Sequence, residues 1–465
     1  MTTSTTRTLF LGACLAGALA LCAHAQDLTR TAPPQSVPVV IHNATIHPVS
    51  GPTIENAFVL FVDGEIRQVA RDGEALDLRE RIMPIHVDAQ GMHLYPGIIA
   101  AGVTTGLIEI NAVRATVDTR EVGAITPEVR ANVAVNPDTT HFPVGRANGV
   151  LAYGVFPQGG SIPGRASVMS PEGWTWEDMT ILENAGLIIN WPNVRPVTAW
   201  WMDQSDEEQM RTARRNLAVI EDAFANAEAY FAARAADPTV PESIRWESMR
   251  PAIERETPVF INAQELEQIQ SAVSWAAKRN LRTVIVGGRD AHLCADLLKR
   301  HDVGVMLTGT HRLPRRADAP FDEPYRLAEM LEDAGVRWCM GAGASSGRGN
   351  ERNLPYEAAT AVAHGLDRDL AVRSITLSVA EFLGVDDMLG SIEPGKRATF
   401  FLSDGDPLDV RSRVHLAFVD GRLIDLSNKQ TELADKYREK YRQLGLIDEE
   451  PQRWIEFEDA APLRR

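Results

Sequence analysis

Thr104, Glu109, Asn262, Gln264, Arg289, Asp290, His292 and His311 stand at or just past the ends of apolar runs. Polar side chains so placed can line a pocket and bind a small ligand without a metal. Arg289 with Arg312, Arg315 and Arg316 would hold a carboxylate, since a guanidinium pairs with one through two parallel hydrogen bonds. The plainer reading of these arginines is a solvated basic loop in an acidic protein. Asp290 and His292, joined by His311 and Glu109, offer ligand atoms for a divalent cation such as zinc, outside any recognised spacing. The plainer reading makes His292 the start of a helix and His311 a loop residue. Trp174 and Trp176, within the glycine-rich stretch 156–179, would stack on a ring or sugar, or else pack as a small hairpin on the body of the fold. Trp200 and Trp201 read as a lead-in to a long helix or as an exposed patch.

The elements that must position these residues alternate in type. Residues 98–104, 149–157, 186–192, 257–264, 281–288, 303–310 and 336–343 are continuous apolar runs of strand length. Runs without polar alternation suit parallel strands buried on both faces. Helical patterns lie between the later ones, and the longest opens at Ser205 with Glu208 three residues on, a capping box. Seven or eight such strands with no GxGxxG turn and no phosphate loop favour an α/β fold of the (β/α) barrel type, TIM-like, over a doubly wound sheet. Both chain ends instead carry short strands with Asp-Gly hairpin signals, at Asp63-Gly64 and Asp420-Gly421. They predict a small β-sandwich from residues 26–95 and 391–426 around a barrel of residues 96–390, followed by a C-terminal helix and tail over 427–465.

Residues 1–25 read as a signal peptide: Arg7, an apolar stretch from Leu9 to Leu21, and Ala23-His24-Ala25 before the cut. Export to a periplasm follows as an expectation, with lipidation at Cys14 the lesser alternative. Cys294 and Cys339 would then remain, read as two buried free thiols over a disulfide. A formal net charge of −16 argues against nucleic acid and against anionic membranes, and no other apolar run is long enough to span a bilayer.

Four stretches together resemble the amidohydrolase superfamily, in the branch similar to imidazolonepropionase. They are the opening sheet (44–66), HLYPGII (93–99), the closing GSIEPGK turn (390–396) with the strand and Asp-Gly-Asp-Pro after it, and VHLAFVDGRLI (414–424). The resemblance implies hydrolysis of C–N bonds in small amides, cyclic amides or dipeptide-like molecules at a one- or two-metal centre. It implies ligands from a His-x-His pair on the first barrel strand, two later histidines and a last-strand aspartate.

This chain departs at each of those places. Ala100 stands for an aspartate, and Gly102 and Thr104 stand for the paired histidines. Asn262, then Gly288 or Arg289, then Gly343 stand for the remaining ligands, and no His-x-His occurs in the 465 residues. No metal or other cofactor is therefore expected in the superfamily's usual way, and zinc would need an atypical site. The expectation is an exported, amidohydrolase-like protein that takes a small-molecule ligand or substrate. Two readings stay open: a hydrolase with an altered site, or a non-catalytic pseudoenzyme. The second would bind a ligand or pair with a metal-bearing relative, or with copies of itself.

Overall fold

The computed structural model describes residues 31–78, 83–198, 202–342, 350–448 and 457–464. Strands β1 (Val39–Ile46), β2 (Ile54–Val62), β3 (Glu65–Arg71), β4 (Ile85–Asp88) and β5 (His93–Pro96) come from the N-terminal part. They share one sheet with β14 (Phe400–Ser403), β15 (Val414–Val419) and β16 (Arg422–Leu423), in the order β16-β15-β14-β5-β1-β2-β3 with β4 also on β1. Phe61 of β2 meets Phe400 and Phe418 edge-on at 5.3 and 5.2 Å, although β2 is not a neighbour of β14 or β15 in that order. The sheet therefore folds over on its own apolar face, which gives it the layered core that a single flat sheet lacks. The two Asp-Gly hairpins predicted from sequence are present, and their tips meet.

The second sheet is the barrel: β6 (Ile98–Val103), β7 (Val150–Val155), β8 (Gly164–Met169), β9 (Thr180–Asn190), β10 (Val259–Ala263), β11 (Thr283–Gly287), β12 (Gly304–Thr308) and β13 (Trp338–Gly341). Ile99, Ala152, Ile188, Phe260, Met306 and Cys339 fill its interior. It is nearly closed, because β13 abuts β6: a Cβ on Gly341 would lie 2.8 Å from the Ala101 carbonyl oxygen. From β9 onward strands alternate with helices α1 (Asp206–Ala236), α2 (Leu266–Lys278), α3 (Glu323–Asp333) and α4 (Leu354–Ala363). Ser205 caps α1, and the reciprocal bonds with Glu208 measure 3.3 and 3.1 Å, as the sequence predicts.

One strand departs from the sequence reading. β8, taken as part of a loop, runs antiparallel to both β7 and β9. Seven strands run one way and β8 runs back, so β7, β8 and β9 form a meander with no helix between them. Helix α5 (Leu377–Leu383) plugs the barrel's lower end with Phe382 and Leu383, and Cys294 and Cys339 are buried free thiols.

Candidate binding site at the barrel mouth

Side chains alternate along a strand, so the residue two beyond an interior one also faces the axis, one layer nearer the mouth. Phe260 lies inside the barrel, and Asn262 follows it at the open end of β10. Asn262 pairs in register with Asn190 of β9 and donates to its Oδ1 at 2.7 Å. Asn190 in turn donates to the Gly159 and Gly160 carbonyls at 3.1 and 2.9 Å. These two half-buried amides tie β9, β10 and the glycine-rich loop together. Gln264 comes two residues later, and its amide lies where a Cβ on Gly287 would be, 1.9 Å from Nε2. The mouth of this side of the barrel is thus lined by carboxamides.

The first strand behaves differently. Gly102 has φ +75°, and the pairing of β6 with β7 shifts register between Ala101 and Val103. That bulge breaks the i, i+2 alternation a His-x-His pair would need. Thr104 is 2% exposed, and neighbouring Thr105 donates to the buried Glu351 at 2.6 Å. Gly343 lies outside the described residues. Gly102 offers no ligand atom, and Asn262, its nitrogen bonded to Asn190, offers only a neutral amide oxygen in place of an imidazole. A neutral threonine hydroxyl is a poor zinc ligand. These residues do not fit the superfamily's metal centre.

The charged residues sort into two groups. Arg316 donates to Asp290 at 2.7 Å and to Glu323 at 2.6 Å, and both carboxylates are buried. Asp290 also accepts from the Leu266 backbone N–H at 3.2 Å. His292 Nε2 stands 3.7 Å from Glu323, and burial pulls its pKa down while Glu323 opposes. Arg316 is therefore occupied by structure, and Arg315 is exposed, 4.0 Å from Glu265. Arg289 and Arg312 remain. Both are half-buried, and Arg289 Nε and Nη1 and Arg312 Nη1 are buried without a hydrogen-bond partner. Burial lowers the pKa of each, Arg315 adding to the effect on Arg289. Arg312 falls to about 10, with Arg289 as the second cause.

The structure does not bring the remaining candidates into one cluster. Glu109 accepts from Thr139 Oγ1 at 2.5 Å and from Thr140 N and Oγ1 at 3.1 and 2.6 Å. Burial opposes, yet those bonds hold its carboxyl below the ordinary value. His311 is exposed and bonds Thr360 on α4 at 2.7 Å. Among the described residues, no three His, Cys, Asp or Glu side chains are grouped to hold a metal ion. Trp176 packs against the barrel core, while Trp174 is 72% exposed; Trp200 and Trp201 lie outside the described residues.

Sequence reasoning missed Glu357. It sits on α4, is buried, and accepts from the Thr310 N–H at 3.0 Å just past β12. Burial pushes its carboxyl up to about 7 against that bond. The pattern LPYEAATAVA is amphipathic enough to mark a helix, yet nothing in it says which residue meets the strand end. A cleft of about 330 Å³ opens at the opposite, lower end of the barrel, lined by Arg255, Arg282, Arg300 and Phe382 among others. It lies at the strand starts, away from the loops that carry function in barrels of this kind.

Known proteins share this architecture. Residues 283–431 match the amidohydrolase family. The chain is 24% identical over 426 residues to Amidohydrolase tasK of Hapsidospora irregularis, covering 83% of this chain and 43% of that one. It thus spans less than half the length of that relative. An amidohydrolase from Thermotoga maritima MSB8 shares the fold with a TM-score of 0.71 at 21% identity, over 83% of this chain and 99% of that one. A Xaa-Pro dipeptidase with bound methionine in its active site gives 0.50 at 14% identity, over 83% and 100%. A barrel joined to a sheet from both chain ends is the fold this chain shares with the Thermotoga maritima amidohydrolase, and its later strands and closing segment, residues 283–431, are similar to the amidohydrolase family.

Proposed function

We propose that the protein takes small amides at the barrel mouth, the substrate class its superfamily hydrolyses at C–N bonds, through a site not built on the superfamily's metal centre. One observation carries this. Asn190, Asn262 and Gln264 present carboxamides at the mouth, across the barrel from a β6 end whose bulge at Gly102 removes the paired-ligand geometry. Carboxamides donate and accept at once, which matches an amide's own N–H and C=O. The signal-peptide pattern of residues 1–25 supports a role outside the cytoplasm. Among the described residues no helix is long and apolar enough to cross a membrane.

Recognition without turnover is the reading these residues favour. It makes the protein a pseudoenzyme that binds a ligand or assembles with a metal-bearing relative. Hydrolysis by an altered site has one observation of its own. Glu357, at about 7, is poised in the range of a general base, and it stands beside Thr310 past a strand end. A screen of amides, lactams and dipeptides, read for both binding and hydrolysis, separates the two. Binding without product supports recognition. Turnover abolished by Glu357→Gln supports hydrolysis, and neither binding nor turnover across the screen sinks the amide reading.

A further inference from the structure

We propose that Arg289 and Arg312 form a subsite at the barrel mouth that binds the carboxylate of a small ligand. β11 and β12 are paired neighbours, with Gly287 opposite Leu307, and Arg289 lies two residues past the end of β11 and Arg312 four past the end of β12. The two guanidiniums therefore reach the mouth from adjacent loops. Three of their nitrogens are shielded from water and unpartnered: Arg289 Nε and Nη1, and Arg312 Nη1. Buried polar N–H groups in folded proteins are nearly always paired, and a buried charge left unpaired is costlier still.

The nearby acids do not supply the missing partners. Asp290 and Glu323 are both bonded to Arg316, and Asp290 also takes the Leu266 N–H. Glu265 stands 4.0 Å from Arg315. After burial, the like charge of Arg289 is the second cause that depresses the pKa of Arg312. An anion between them answers all three conditions. It neutralises the like charges, accepts the unpartnered N–H groups, and requires no residue to move from Arg316. A carboxylate has about four acceptor positions on two oxygens, enough for one fork from each guanidinium. Resting on the amide reading above, this assigns the ligand as a small amide that also carries a carboxylate, such as an N-acyl amino acid.

The test is thermal stability and calorimetric titration of the full chain in a buffer of low anion content. The probes are N-acetylalanine, its uncharged methylamide, propanoate, which has the carboxylate without the amide, and inorganic phosphate. The proteins are wild type, Arg289→Gln, Arg312→Gln, the double variant, and Arg326→Gln as a charge control on an exposed face of α3. N-acetylalanine should stabilise the wild type and Arg326→Gln alike. Each mouth substitution should weaken its binding by roughly tenfold or more, the ordinary worth of a charge-assisted hydrogen bond. Without ligand, Arg312→Gln should melt no lower than wild type, because it removes an unpaired buried charge.

A lower melting temperature for Arg312→Gln in that buffer would show an ordinary structural pair and overturn the proposal. So would N-acetylalanine binding equally to wild type and double variant, or no carboxylate binding at all. Phosphate binding with the carboxylates silent would overturn the assignment to a carboxylate. The methylamide separates the two levels of argument. If it binds while N-acetylalanine does not, the arginine subsite fails and the amide reading stands. If only carboxylates bind, amide-bearing or not, the subsite stands and the amide reading fails.

Discussion

Gly102 shows why the site differs by more than a side-chain exchange. Its φ of +75° lies where a residue with a Cβ is strained, so a histidine there cannot simply restore a ligand. Gly102→His should lower stability by about 1–2 kcal/mol, measured by urea titration. A neutral result would mean that the strand end accepts the ligand conformation after all. Glu357 carries a second prediction, on pH. Its folded pKa of about 7 exceeds its ordinary 4.5, so the folded protein holds this proton after the unfolded chain has lost it. Stability from this group is complete below about 4.5 and falls as pH rises toward 7. The loss is on the order of 3 kcal/mol at most. Glu357→Gln keeps an acceptor for the Thr310 N–H and should flatten that decline in melting temperature between pH 5 and 8; parallel profiles would contradict it. At this scale the sequence placed Thr104, Asn262, Gln264 and Arg289 at strand ends, because strand runs and their termini are local features. It could not tell Arg316, held by two buried acids, from Arg312, because that distinction depends on where Glu323 of α3 comes to lie.

The elements are legible where hydrophobic runs are long. Seven barrel strands, the α1 capping box and both Asp-Gly hairpins follow from pattern alone. β8 did not, because its six residues sit between glycine-rich and tryptophan-bearing loops, and direction is not encoded in a run of apolar residues. Only its pairing with β7 and β9 makes it a barrel strand. Closure of the barrel is equally a tertiary matter. A methyl group at position 341 would press on the Ala101 backbone at 2.8 Å, with β6 held in place by its other neighbour. Gly341→Ala should destabilise by about 1–3 kcal/mol in chemical denaturation, and an unchanged midpoint would show that β13 does not seal the barrel against β6. In the folded-over sheet, His47 stacks on Tyr95 at 4.2 Å and bonds His93 at 3.0 Å. Burial, then His93, draws its pKa down to about 4, with Arg368 adding to the fall and Asp369 and Asp406 opposing it. The unfolded chain protonates this ring near 6.5 while the folded one resists, so stability falls as pH drops from about 6.5 toward 4. His47→Gln should flatten that acid limb in melting experiments; an unchanged limb would place its cause elsewhere.

Over the whole molecule, both ends of the chain build one sheet, and the barrel between them carries the mouth on the ends of its parallel strands. Arg146 and Glu172 form a buried ion pair beneath that barrel wall, and Glu172 also accepts the Ala32 N–H at 2.5 Å, so the lead segment before β1 is tied to the barrel. The resemblance read from four stretches agrees with the family match over residues 283–431 and with the fold shared with the Thermotoga maritima amidohydrolase, because those stretches encode turns and sheet edges. The mouth itself is a different matter: carboxamides and two unpartnered arginines gather there, and among the described residues no three metal-ligating side chains do. Metal content tests that arrangement. Untagged full chain, purified without chelator from cells supplied with zinc, manganese and iron, should carry far less than one metal ion per chain by mass spectrometry. One equivalent that survives dialysis would contradict the account.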